Sequence, residues 1–150
     1  MPTLIQNKKV NLNYEIMEKY DAGLSLRGYE VKSIRNKHGS LEGSYIIVRG
    51  NEAFLIGARI PPYQASNTPA GYAPYRNRKL LLTKKEISEL SGFEKKKGLT
   101  IIPIMLYTKG HNIKLSLGIG RGKKKYDKRE TIKKKDTLRD VARELKERGY

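Results

Sequence analysis

The clearest periodicity in the chain runs from Ile113 to Ile119. Ile113, Leu115, Leu117 and Ile119 alternate there with Lys114, Ser116 and Gly118. A period of two predicts a strand with one apolar and one polar face. The run LTIIPIMLYT precedes it, and Lys109-Gly110-His111-Asn112 joins the two, which predicts a β-hairpin. Pro103 has no N–H to give to a ladder, so it marks an edge or a bulge. A second hairpin is predicted in SYIIVRGNEAFLIGARI, two β-rich runs turning at Gly50-Asn51. From Tyr14 the run YEIMEKYDAGLSL is strand-like as well, with a break expected at Asp21-Ala22-Gly23.

Helical spacing is confined to short stretches. GYEVKSIRNKHG places Val31 and Ile34 on one face and Lys32 and Arg35 elsewhere, predicting a short amphipathic helix that stops near Gly39. Thr83 and Glu86 form a capping box in front of Ile87 and Leu90, with Gly92 expected to end that helix. Thr137 and Asp140 suggest another box. The stripe that follows, Leu138, Val141, Ala142 and Leu145, has the i, i+3, i+4, i+7 spacing of one helix face. Between the hairpins lies a long loop, RIPPYQASNTPAGYAPYRNRK, rich in Pro, Gly and Tyr. Such loops inside compact domains are usually functional or mobile. About six short antiparallel strands with helices at the connections predict a mainly β fold, an OB-like barrel that is closed or partly open. The barrel is expected over residues 13–120, after a mobile basic lead-in at 1–12 and before a basic tail at 121–150.

Charge sharpens this picture. The 150 residues carry 32 Lys and Arg against 15 Asp and Glu, a net +17. The last 30 residues hold +7 and the first 120 hold +10, so the tail is the more charge-dense part. An excess of this size calls for a polyanionic partner. In GRGKKKYDKRETIKKKD, Lys123, Lys124, Lys125, Lys128 and Arg129 surround Tyr126 and Asp127. Arg76, Arg78 and Lys79 likewise follow Tyr72 and Tyr75. Cations attract phosphates and a tyrosine ring stacks on an exposed base, so both clusters are candidate nucleic-acid contacts. None of the predicted helices has the make-up of a major-groove reader, which favours RNA over DNA. Dense like charge predicts that the tail is disordered alone and folds, partly as a helix, on its target.

Other chemistry finds little support. There is no cysteine, which excludes disulfides and thiolate metal sites. His38 and His111 fall in predicted turns with no ligand set around them. GIGRGKKK departs from a phosphate-binding loop in spacing, and a lysine stands where Ser or Thr is needed after Lys123. No cofactor, metal or catalytic residue is expected. The apolar stripe of the tail is too small for a membrane anchor. No apolar run reaches the length of a signal peptide or a membrane span, so an intracellular, cytoplasmic location is expected.

Five blocks in order carry a resemblance: AGLSLRGYEVKSIR, SYIIVRGNEAFL, RNRKLLLTKKEI, KKKGLTIIPIMLY and GRGKKKYDKRETIKKKD. Together they resemble small protein B, the family of SsrA-binding proteins of bacterial trans-translation. The resemblance implies an OB-type barrel that binds the tRNA-like domain of transfer-messenger RNA (tmRNA). It further implies a tail that enters the stalled ribosome and occupies the empty decoding site and messenger channel, against small-subunit rRNA. It implies a non-enzymatic adaptor, monomeric when bound to RNA. By position, the family's RNA contacts fall on Asn7, Asp21, Leu81 and Lys114, and its tail motif on Gly122, Lys123, Lys124, Tyr126, Asp127, Lys128 and Arg129. Leu138 and Leu145 of the tail stripe join the expected ribosome contacts. Asp21 stands where the family commonly has glutamate, Ala73 where aspartate is frequent, and no basic residue lies at Leu12. The competing reading is a structural ribosomal protein or general RNA chaperone with a basic tail and no dedicated RNA.

Overall fold

In a computed structural model of the chain, the residues described are 3–63 and 69–123. Their elements run β1 (Thr3–Gln6), α1 (Val10–Asn13), β2 (Tyr14–Leu24), α2 (Gly28–Arg35), β3 (Tyr45–Arg49), β4 (Glu52–Ile56), β5 (Arg78–Leu81), α3 (Lys84–Glu94), β6 (Leu99–Lys109) and β7 (Asn112–Gly122). The seven strands form one sheet in the order β1-β6-β7-β2-β5-β4-β3, and every pairing is antiparallel. The class is the one expected, antiparallel β with short helices at the connections. Among the described residues the hydrogen-bonded sheet is not closed, and β1 and β3 form its two ends.

Both hairpins form. Gly50 and Asn51 join β3 to β4, and Gly110 and His111 join β6 to β7, with Lys109 opposite Asn112. Pro103 marks a bulge: the β6–β7 register shifts between Pro103 and Met105.

Four local expectations change. The lead-in is not separate, because Thr3, Ile5 and Gln6 pair with β6. β2 does not break at Asp21-Ala22-Gly23. It pairs with β7 through Gly23, and Ala22 is buried, so the small residues serve packing rather than a turn. α2 ends at Arg35, with Lys37 in the left-handed region, ahead of Gly39. α3 runs past Gly92 to Glu94, because Phe93 still packs on the core.

The polar face of β7 is also drier than its alternation suggests. Ile113, Leu115, Leu117 and Ile119 are buried as expected, yet so are Ser116, Gly118 and Gly120. β7 is an interior strand, and its glycines let neighbours lie across it. A Cβ on Gly118 would meet Ile104 and Ile16 side chains at 3.1 Å, and one on Gly120 would meet Ile102 at 3.0 Å.

The core gathers Ile34, Leu41, Leu55, Leu80, Leu90 and Leu106 on one side of the sheet. α3 is set on it by its capping box. Thr83 Oγ1 accepts from the Glu86 N–H at 3.2 Å, and the Glu86 carboxylate accepts from the Thr83 N–H at 3.0 Å. Thr83→Ala is expected to cost about 1 kcal/mol in urea unfolding, with RNA affinity unchanged.

Candidate nucleic-acid interface

In antiparallel sheets, residues directly opposite each other share a face. One such row crosses β5, β2, β7 and β6 as Leu81, Gly23, Lys114 and Tyr107. The next row crosses β2, β7 and β6 as Asp21, Ser116 and Met105. Both lie opposite the core face, where Ala22, Leu115 and Leu106 are buried. Leu80 points to the core at 1% exposure while Leu81 is 55% exposed. The structure therefore brings Asp21, Leu81 and Lys114 together on the outer face.

Gly23 is what permits this. A Cβ there would stand 3.2 Å from Cβ of Leu81, so glycine lets Leu81 lie close over β2. Beside it a groove of about 320 Å³ is lined by Leu81, Leu26, Val31, Ile113, Asn112 and Lys114.

Asp21 is exposed, and its Oδ1 accepts a 2.8 Å hydrogen bond from the Tyr107 hydroxyl. Burial, with the bond to Asp21 added to it, pushes the Tyr107 hydroxyl up to about 12. The phenol thus remains a donor at ordinary pH, and it aims the carboxylate outward. A carboxylate so held is a candidate acceptor for base amino or imino groups, and the Lys114 ammonium a candidate partner for phosphate.

Asn7 lies apart. Its N–H donates to the Ile104 carbonyl at 2.8 Å and its side-chain amide to the Pro103 carbonyl at 2.9 Å. It follows Gln6, which pairs with Met105, so it sits at the β1 edge. Three strand spacings separate that edge from Asp21, roughly 14 Å.

The loop arginines behave differently from expectation. Arg78 is fully buried. Its Nε donates to Glu30 Oε2 at 2.8 Å. Nη1 donates to the Ala58 and Arg76 carbonyls at 2.9 and 3.1 Å. Nη2 donates to the Tyr72 hydroxyl at 3.1 Å and the Pro74 carbonyl at 2.9 Å. All five donors are spent inside the protein, so Arg78 has none left for a phosphate. Arg76 is largely committed too. It grips Glu30 with Nε at 3.0 Å and with Nη2. Of the three loop cations, Lys79 is exposed, facing Glu52 at 3.1 Å, on the same side of β5 as Leu81.

Glu30, which the sequence reading passed over, is the hub of this cluster. It is buried on α2 and also accepts from the Arg27 N–H at 2.8 Å. The Tyr72 hydroxyl sits 3.0 Å from Glu30 Oε2 and 2.7 Å from the Ile60 carbonyl, and its ring meets Tyr29 edge-on at 4.9 Å. Burial alone would raise the Glu30 carboxyl. Its bonds to Arg76, the Arg27 backbone and Arg78 outweigh that and hold it down at about 2. The available signal was the need of two arginines in an apolar-flanked loop for a counter-charge.

Of the tail residues, Gly122 is the last of β7 and pairs with Tyr14. Lys123 donates from N–H to the Asn13 carbonyl at 2.8 Å and from Nζ to the Asn11 carbonyl at 2.7 Å. Lys124, Tyr126, Asp127, Lys128, Arg129, Leu138 and Leu145 lie outside the described residues, as does the helix expected after Thr137. Among the described residues no cluster of His, Asp and Glu could hold a metal. No helix among them is long and apolar enough to cross a membrane.

Comparison with known proteins bears directly on these residues. The model of the SmpB protein family matches residues 4–147. An SsrA-binding protein of Mesoplasma florum is 49% identical over 140 residues, 93% of this chain and 94% of that protein. One from Anoxybacillus flavithermus is 48% identical over 145 residues, 97% of this chain and 94% of that protein. A solved structure described as "tmRNA-SmpB: a journey to the center of the bacterial ribosome" superposes with a TM-score of 0.69. It is 36% identical, covering 87% of this chain and 95% of that one. With the antiparallel sheet, the outer-face constellation and a family match over nearly its whole length, the chain belongs to the SmpB protein family.

Proposed function

We propose that this protein is a non-enzymatic adaptor that binds SsrA RNA, the tmRNA, and acts with it in trans-translation on the ribosome. The observation that carries the reading is the outer face of the sheet. There Lys114 for phosphate, Asp21 for base donors and exposed Leu81 for apolar contact converge on adjacent strands. The relatives are SsrA-binding proteins, and the similar solved structure joins tmRNA, SmpB and the ribosome. A net +17 fits a partner built of phosphates.

The tRNA-like domain of tmRNA occupies the face of Asp21, Leu81 and Lys114, with Asn7 a separate contact at the β1 edge and Lys79 a peripheral one. The tail residues Gly122, Lys123, Lys124, Tyr126, Asp127, Lys128, Arg129, Leu138 and Leu145 serve the ribosome, at the empty decoding site and along the messenger channel. Location is then that of the ribosome, the cytoplasm.

Lys114→Ala tests the first part. Lys114 projects from a strand whose other face carries the core, so the variant folds. It is expected to weaken tmRNA binding and to flatten the salt dependence by about 0.7 to 0.9 in log K against log salt, one phosphate contact. Filter binding from 50 to 200 mM salt reads both quantities. Unchanged affinity and slope would remove the outer face as the RNA surface.

A further inference from the structure

The groove beside Leu81 contains more than the three outer-face residues need. Its floor is apolar, from Leu26, Val31, Leu81 and Ile113, and its rim is polar, from Asn112 and Lys114. At about 320 Å³ it falls at the small end of ligand sites, a fit for one planar ring and its sugar rather than a stretch of duplex. Asn112 is exposed at the end of the β6–β7 turn, and among the described residues its side-chain amide makes no hydrogen bond. It presents a donor and an acceptor side by side. The turn itself is tied down, because Arg35 of α2 donates to the His111 carbonyl at 2.8 Å. A groove with an apolar floor, and an unbonded amide and a cation two residues apart along β7, is complementary to a nucleotide out of its stack.

We propose that this groove receives a single unstacked nucleobase of the bound RNA. The base lies with one face on Leu81 and Leu26, its hydrogen-bonding edge is read by Asn112, and its phosphate is met by Lys114. This deepens the RNA-binding reading and rests on it. Asn112 is thereby a specificity residue: an amide pairs best with a base edge that shows one donor next to one acceptor, as adenine does. Gly23 contributes by letting Leu81 lie flat at the groove wall.

The probe is the tRNA-like domain of tmRNA, synthesised with 2-aminopurine or an abasic site at each unpaired position in turn, against the full chain. One position is expected to change 2-aminopurine fluorescence on binding. An abasic site there is expected to weaken wild-type binding about tenfold, and Asn112→Ala to weaken binding of the unmodified RNA by a similar factor. Applied together they should weaken it little further. Asn112→Ala and Leu81→Asp both alter exposed side chains, and circular dichroism confirms folding. The inference is overturned if the RNA binds tightly but no single position couples to Asn112. It is also overturned if Asn112→Ala weakens every abasic RNA equally. Loss of binding by the wild-type chain itself to this RNA would instead overturn the RNA-binding reading.

Discussion

Arg78→Ala is expected to destabilise the protein by about 3–5 kcal/mol, the range for removing one partner of a buried ion pair. The change leaves Glu30 wholly buried with Arg76 as its one remaining cation, which is itself 23% exposed at the side chain. It strands the Ala58 and Arg76 carbonyls that Arg78 had satisfied and opens a void. Lys79→Ala, one residue away, removes an exposed pair with Glu52 and should cost under about 1 kcal/mol. Urea unfolding of the two variants is the comparison. Equal midpoints would mean that the buried cluster holds nothing together. A variant with both Glu30 and Arg78 replaced by apolar residues should lose less than the two single changes summed, because no fully buried charge is then left without its partner.

The same carboxylate gives a pH signature. Glu30 is held at about 2 when folded against 4.5 in its free state. A lowered folded value means that the unfolded chain binds the proton more readily. The stabilisation is therefore complete above about pH 4.5 and is lost as pH falls through that value towards 2. Its size is on the order of 3 kcal/mol. Acid unfolding of Arg78→Ala should begin at a higher pH than that of the wild type.

This cluster also marks the boundary of what the chain's pattern makes legible. Alternation exposes Leu115, Leu117 and Ile119 as core and Lys114 as outward, because strand periodicity acts through nearest neighbours. The hairpin turns and the Thr83–Glu86 box are equally local. Arg78 is different. Its neighbours Arg76 and Lys79 and the tyrosines around it have the composition of a basic surface, and its burial depends on Glu30, 48 residues away on α2. No local period encodes that pairing. The small residues of β2 were ambiguous for a related reason: Asp21-Ala22-Gly23 suits a turn unless β7 lies alongside. Gly23 is glycine because of Leu81, from a strand that pairs with it only in the folded sheet. The outer-face constellation itself was legible only through family resemblance, since nothing in the spacing of Asp21, Leu81 and Lys114 announces that three strands place them together.

Deleting residues 124–150 is expected to separate the two activities proposed for the chain. The outer-face residues all lie before the cut, and Lys123, which donates to Asn11 and Asn13, is retained. The truncated protein should keep tmRNA affinity within a few-fold at low salt, with a shallower salt dependence because 11 Lys and Arg leave with the segment. Tagging of stalled chains should fall to background. The physical reason lies in the sequence of the tail. Lys123 to Lys135 carries eight Lys and Arg against Asp127 and Glu130. The stripe Leu138, Val141, Ala142 and Leu145 belongs to a segment of about 12 to 15 residues, a length that is marginal in water. On the proposed reading, phosphates of rRNA offset that charge where the tail meets the ribosome. Tyr126→Ala, Leu138→Asp and Leu145→Asp should therefore each leave tmRNA binding intact and slow peptidyl transfer to the tmRNA-borne alanine. Truncated protein that still tags at the wild-type rate would reduce the tail to an electrostatic tether. Truncated protein that no longer binds tmRNA at low salt would move the tail from the ribosome to the RNA-binding surface.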